Sequence, residues 1–125
     1  MRANIMKSHV NRQFIREIER AFSAIYPFLK IEFPKEAPRW MTVEEEGLDA
    51  AGWQRQAHDL LLNEIGLTDG MTVANLETRL LDLFAVPVVI LRRSGNFWIE
   101  TSMTRQWSLK EQNDHGRELA GESSK

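Results

Sequence analysis

Apolar residues recur at helical spacing in three stretches of this chain. Over 11–26 they fall three and four positions apart, and Pro27 then stops the pattern because proline cannot continue a helix. Similar stripes cover 49–65 and 73–84. We therefore predict three helices, each with one face turned to a core.

Capping residues place the ends of these helices and indicate a fourth. Gly66 directly follows the second stripe, where glycine commonly ends a helix, and Thr72 is a suitable N-cap for the third. Ser108 and Glu111 have the spacing of a capping box, which predicts a helix from Leu109. Thr42 and Glu45 have the same spacing and predict a helical turn near residue 42.

Three shorter apolar runs predict strands over 28–33, 86–93 and 97–103. The last two are joined by Ser94–Gly95–Asn96, a tight-turn sequence, so we predict a hairpin over 88–103. A two-residue turn at Gly95 pairs Arg93 with Trp98, Leu91 with Glu100 and Arg92 with Ile99.

These elements predict an α+β fold, in which a small antiparallel sheet packs against about four helices. The sheet contains the hairpin, with 28–33 as a third strand. Superimposing Ile18 on Leu76 also aligns two helix–strand units, which suggests a weak internal αβ repeat. We expect one domain over 1–115 and a flexible tail over 116–125.

The composition fits a folded domain without metal–thiolate chemistry. Hydrophobic residues make up 42% of the 125 residues, four are tryptophan and none is cysteine. The lack of cysteine excludes disulfides, thiolate-bound zinc and thiol catalysis. No apolar run is long enough to cross a bilayer, and the N-terminal residues do not resemble a secretory signal, so we expect a cytoplasmic protein.

Charge is divided into blocks along the chain. Residues 1–40 hold eight lysines and arginines against four acids, whereas 41–85 hold two against nine. Residues 86–125 are nearly balanced, with six against five. Such blocks suit a polar binding surface or self-association, and they are equally compatible with ordinary solvated helix faces.

The segment from Leu76 to Asn113 resembles a family of small bacterial proteins that has no assigned activity. Its more specific parts are the 94–96 turn, Trp98, the pair Glu100–Thr101, Trp107 and the pair Gln112–Asn113. The opening FSAIYPFLKIEF, residues 22–33, is similar to the start of the same family. The resemblance implies a bacterial, cytoplasmic protein and transfers no catalytic residue.

The sequence offers no recognisable catalytic or metal-binding constellation. His9, His58 and His115 are isolated from one another, and the acidic run 44–46 lacks the alternating pattern of a calcium loop. No nucleophile elbow, phosphate-binding loop or dinucleotide fingerprint is present, and Glu100 has no identifiable carboxylate partner. We assign no catalytic residue, no metal and no cofactor.

The hairpin carries the most promising surface. We expect one face to be core, formed by Val88, Ile90, Phe97, Ile99 and Met103. The other pairs Arg93 with Trp98, and arginine and tryptophan are enriched in interface hot spots. The candidate binding surface consists of Arg93, Trp98, Glu100, Arg105 and Trp107. The alternative is that Trp98 packs with Trp107 beneath the last helix.

We therefore predict a protein-interaction or adaptor module rather than an enzyme, with another protein or a second copy as partner. The alternative is a small-ligand protein or enzyme with a pocket between the sheet and the Trp53 helix. A further alternative is single-stranded nucleic acid on a platform of Arg92, Arg93, Arg105, Trp98 and Trp107, aided by the helical stripe Arg12, Arg16 and Arg20. The sequence pI of about 5.9 disfavours the nucleic-acid hypothesis.

Overall fold

The computed structural model describes residues 12–34 and 49–120. These residues form helices and a three-stranded antiparallel sheet, which confirms the predicted α+β class. No helix in these two stretches is long and apolar enough to cross a membrane. In chain order the elements are α1 (Arg12–Ile25), β1 (Leu29–Glu32), α2 (Ala50–Asp59), α3 (Val73–Phe84), β2 (Val89–Ser94), β3 (Phe97–Glu100) and α4 (Leu109–Leu119).

The helix ends follow the capping signals. Thr72 accepts a hydrogen bond from the N–H of Asn75, and the reciprocal capping box of Ser108 and Glu111 is complete. After Asp59 the helix α2 continues as a π-helical segment over Leu60–Ile65. Gly66 then adopts φ +74° and ends the segment, as predicted. The predicted capping box near residue 42 and the acidic run 44–46 lie outside the described residues.

The sheet has the order β1–β2–β3. Ile31 pairs with Ile90 between the first two strands. In the hairpin Arg93 pairs with Trp98, and the other two predicted pairs are also present, which confirms the predicted register. The third strand is shorter than predicted, because residues Ser102–Thr104 turn into a 3-10 helix.

The core lies between one face of the sheet and the helices. That face carries Leu29, Ile31 and Ile90, all buried. The helices α1 and α2 pack on each other, with the Phe14 and Trp53 rings 5.6 Å apart. Helix α3 adds its own apolar stripe of Val73, Leu76, Leu80 and Phe84. Both units of the suggested repeat are thus present as a helix followed by a strand.

Helix α4 covers part of the sheet and continues to Leu119, past residue 116 where we expect the tail to begin. It packs on β2 and β1. Gly116 allows the close approach, because a Cβ there would lie 3.0 Å from Cγ of Arg92 and 3.0 Å from Cβ of Phe28. The side chain of Asn113 accepts a hydrogen bond from the N–H of Phe28 at 2.8 Å, which ties α4 to the start of β1.

Candidate binding surface

The two outer edges of the sheet differ. On β1, the hydroxyl of Ser23 donates to the carbonyl of Leu29 at 3.0 Å, and the carboxylate of Glu19 accepts from the N–H of Phe33 at 3.4 Å. Helix α1 therefore satisfies two of the outward backbone groups of this edge. A helix placed against an edge hinders its pairing with other strands.

The other edge, β3, carries outward-facing backbone groups. The N–H of Thr101 donates to the carbonyl of Ile90 at 3.2 Å, so Thr101 faces β2. Since alternate residues of an edge strand face its neighbour, Phe97 and Ile99 also face β2, whereas the backbone groups of Trp98 and Glu100 point away from the sheet. Within the described part of the chain these groups have no strand to pair with.

A cation–aromatic cluster occupies the sheet face opposite the helices. The indole of Trp98 lies between two cations: Nζ of Lys30 is 5.1 Å from the ring centroid and Cζ of Arg93 is 5.3 Å from it. Lys30 is on β1, so its aliphatic stem crosses β2 to reach the indole. This crossing explains why Leu91, which pairs with Lys30 on the same face, is buried.

The position of Arg93 is further restrained. Its Nε donates to the carbonyl of Gly95 at 2.8 Å, within the hairpin turn. Each exposed cation–aromatic contact contributes about 0.5–1 kcal/mol. The cluster of Lys30, Trp98 and Arg93 is thus held in place before any partner binds, which lowers the entropic cost of binding.

The prediction that one face of the hairpin belongs to the core is wrong for three of its five residues. Phe97 is 73% exposed, Ile99 38% and Met103 95%, although Val88 and Ile90 are buried as expected. The reason is that α4 packs on β2 and β1, so the helix-side face of β3 is left uncovered. The chain then turns at Ser102–Thr104, and Met103 projects into solvent.

The structure divides the five residues of the predicted binding surface. Arg93, Trp98 and Glu100 share the open face of the hairpin. Arg105 instead pairs with Glu77 of α3, with Nε and Oε1 2.8 Å apart. The fifth residue, Trp107, lies on the helix side, where Cζ of Arg92 is 5.6 Å from its ring centroid and the His115 ring is 5.4 Å away.

This separation of Trp98 from Trp107 contradicts two of the alternatives that the sequence left open. Trp98 does not pack with Trp107 beneath α4, because the two rings lie on opposite sides of the sheet. The single-strand platform is likewise not assembled. Arg92 is only 8% exposed and donates from Nη1 to Oε1 of Gln112 at 2.8 Å, so it offers no charge to a surface ligand.

Lys30 is the member of the surface that sequence reasoning missed. It lies 68 positions before Trp98, and only the pairing of β1 with β2 brings the two together. The sequence did indicate that Lys30 lies in the predicted strand 28–33, on its polar face. Without the register between strands, however, the sequence does not show which residue Lys30 contacts.

A groove of about 320 Å³ lies beside the binding surface. It runs between α3 and the ends of β2 and β3. The pocket expected between the sheet and the Trp53 helix is therefore not this groove, and Trp53 itself is buried against Phe14. Polar groups at its rim include the Glu77–Arg105 ion pair and Glu100. The remaining lining residues are Thr78, Leu81, Pro87, Val88, Val89, Ile90, Thr101 and Ser102.

The titratable residues do not form a metal or acid–base centre in residues 12–34 and 49–120. No group of three His, Asp or Glu side chains is placed to hold a metal ion there. His58 is exposed, with Nδ1 3.1 Å from the carbonyl of Gln54, and His115 lies 3.6 Å from Glu118. His9 lies outside the described residues.

Burial is the main cause of the shifted pKa values of Tyr26, Glu19 and Arg92. Burial, and a hydrogen bond from its hydroxyl to Asp69 at 2.9 Å, raise the pKa of Tyr26. Burial also raises the pKa of Glu19. Since desolvation disfavours the charged form, burial lowers the pKa of Arg92.

Comparison with known proteins yields no match to a family model, to a curated protein or to a solved structure. The candidate surface therefore depends on the geometry alone.

Proposed function

We propose that this chain is a protein-interaction module that binds an extended segment along β3 by strand addition. The observation that carries the proposal is the contrast between the two sheet edges. Helix α1 lies against the edge of β1 and bonds two of its outward backbone groups, whereas Trp98 and Glu100 direct backbone donors and acceptors outward from β3 with no element beside them among the described residues. Strand addition uses such groups for affinity and the flanking side chains for specificity.

The side chains around β3 support the proposal. On the open face, Trp98 is held between Lys30 and Arg93 and presents an aromatic surface next to fixed cations. On the helix side, Phe97 and Ile99 leave apolar surface exposed. An added strand alternates its side chains between these two faces, so each face offers it a chemically distinct set of contacts.

Selection from a displayed library of random nine-residue peptides tests this function. The wild-type chain is the bait, and dissociation constants of selected peptides are measured by fluorescence anisotropy. Glu100→Pro removes an outward N–H at an edge position that tolerates proline, so binding is expected to weaken at least about tenfold. Hydrogen exchange should show the Trp98 and Glu100 amides becoming protected when peptide binds.

Leu62→Ser is the matched control, because Leu62 is 49% exposed and lies on the π-helical segment rather than on the sheet. It should leave peptide affinity unchanged. Urea unfolding of Glu100→Pro checks that the fold is intact. If every selected peptide binds this variant as tightly as wild type, strand addition at β3 is excluded.

A second candidate function is binding of a small polar molecule in the groove beside α3. The observation in its favour is the Glu77–Arg105 pair at the rim of an apolar-floored groove of about 320 Å³. Such a ligand would bind only the native state and raise the melting temperature. A metabolite thermal-shift screen run with wild type and Arg105→Ala tests it, since a shift that survives the substitution places the ligand elsewhere.

A further inference from the structure

We propose that the strand accepted by β3 is β3 of a second copy of this chain, so that two sheets join edge to edge about a two-fold axis at Ile99. This inference rests on strand addition as the proposed function and names the partner. The argument comes from three features of β3: its backbone, its apolar side chains and its charges.

The backbone groups fit a two-fold pairing. In an antiparallel pair, two opposing residues exchange both of their hydrogen bonds. An axis at Ile99 sets Trp98 opposite the partner subunit's Glu100 and Glu100 opposite the partner subunit's Trp98. Every outward donor and acceptor of the two β3 strands is then paired. An axis at Trp98 or at Glu100 would pair only one outward residue of each β3 with its counterpart.

The apolar side chains meet in the same register. Ile99 lies on the helix-side face, 38% exposed, and would face its own copy across the axis. This is a position without mutual hydrogen bonds, where Cα atoms approach to about 4.5 Å and side chains pack most closely. Phe97, at 73% exposure, lies two residues away on the same face and extends the apolar area that the second copy would cover.

The charges are complementary in this register. On the open face Glu100 would lie beside the partner subunit's Trp98, whose other neighbour is the partner subunit's Arg93. Glu100 has no ion-pair partner within the described part of the chain. An axis at Trp98 would instead set the two Trp98 side chains opposite each other and Glu100 opposite the partner subunit's Asn96, so Glu100 would lose its place beside the cation-bound indole.

The helix beside the opposite edge favours an assembly of two copies. Because α1 lies against β1 and bonds the Leu29 carbonyl and the Phe33 N–H, the outer edge of β1 is less accessible to a further strand than that of β3. An assembly with one self-complementary edge per copy forms a closed dimer rather than a fibre.

Single-cysteine variants test the axis directly, since the natural chain contains no cysteine. Ile99→Cys places two thiols opposite each other, within reach of disulfide geometry, and should form a covalent dimer on mild oxidation. Phe97→Cys is the control: its side chain is more exposed, but the two copies of residue 97 would be about 13 Å apart along the paired strands. It should stay uncross-linked on a non-reducing gel.

Charge variants at the same position test the pairing in solution. Ile99→Lys and Ile99→Asp each set like charges face to face, so each should raise the dimer dissociation constant at least about tenfold in sedimentation experiments. A mixture of the two variants should recover a heterodimer. Leu62→Lys adds charge at an exposed leucine elsewhere and should leave dimerisation unchanged.

Three results would overturn the proposal: a wild-type chain that stays monomeric up to about 1 mM, cross-linking of Phe97→Cys that matches Ile99→Cys, or a Lys–Asp mixture that remains monomeric. Failure here is separable from failure of the proposed function. A monomer that binds selected peptides through Trp98 and Glu100 retains strand addition with a different partner.

Discussion

Arg92 on β2 donates a hydrogen bond from Nη1 to Oε1 of Gln112 on α4, at 2.8 Å, in the interior between sheet and helix. Gln112 is fully buried, and its Nε2 donates to the carbonyl of Thr104 at 2.7 Å and to the Thr104 hydroxyl at 2.8 Å. No carboxylate forms an ion pair with Arg92 among the described residues, and its Nε is buried without a hydrogen-bond partner there. A neutral amide is thus the main protein partner of a buried cation.

This arrangement predicts unequal costs for removing its two members. Gln112→Ala leaves the guanidinium buried without its acceptor and should lower the free energy of unfolding by about 3 kcal/mol. Arg92→Met removes the buried charge and keeps the Gln112–Thr104 bonds, but its side chain is shorter and Oε1 of Gln112 loses its donor, so about 1–2 kcal/mol is expected. Urea unfolding of both variants measures the difference. A larger loss of stability for Arg92→Met than for Gln112→Ala would show that the interactions of the charge outweigh the cost of burying it.

Substitution of Gly116 tests how tightly α4 packs on the sheet. A Cβ at this position would lie 3.0 Å from Cγ of Arg92 and 3.1 Å from the carbonyl oxygen of Phe28. Gly116→Ala should therefore destabilise the fold by about 1–3 kcal/mol, although alanine favours a helix interior. In Gly70→Ala the new Cβ meets nothing within 4 Å, so thermal unfolding should show little change or a small gain.

Ala85 ends α3 in the left-handed conformation, with φ +61°. A residue with a Cβ is strained by about 1–2 kcal/mol there, which glycine avoids. After allowance for the greater freedom of glycine in the unfolded chain, Ala85→Gly should stabilise the protein by about 0.5–1 kcal/mol. Gly66→Ala, at φ +74°, should do the reverse. Melting temperatures that move in the same direction for both variants would contradict this account.

Glu19 gives the stability a dependence on acid pH. Burial raises its pKa in the native state above the ordinary value of 4.5, so the native state binds a proton more readily than the unfolded state. Its contribution to stability is therefore greatest below pH 4.5 and decreases as the pH rises through the native pKa. Glu19→Gln removes this dependence and keeps an oxygen that can accept from Phe33. Urea unfolding between pH 4 and 7 should show the variant gaining on wild type as pH rises.

Much of the local structure could be predicted because short-range physics decides it. Pro27 stops α1, Gly66 ends the segment after α2, and Ser108 with Glu111 begins α4. The two-residue turn at Gly95 likewise determined the hairpin pairings, since turn length and strand alternation set the register together.

The burial of hairpin side chains was harder to predict. Periodicity marks Phe97, Ile99 and Met103 as apolar positions, but it does not reveal whether a helix covers them. Helix α4 lies over β2 and β1, so these three remain exposed while Arg92 is buried. Hydrophobicity alone predicts the opposite for each of the four.

The sequence by itself determined where α2, α3 and α4 begin, the hairpin and its register, because caps, turns and alternation act between residues close in the chain. Only the tertiary structure decided that Lys30 joins Trp98, that Trp107 lies apart from it, and that α1 lies against one sheet edge while the other has no element beside it among the described residues. These relationships depend on how helices dock on the sheet. Docking minimises exposed apolar area over the whole chain at once, so no short segment encodes its outcome.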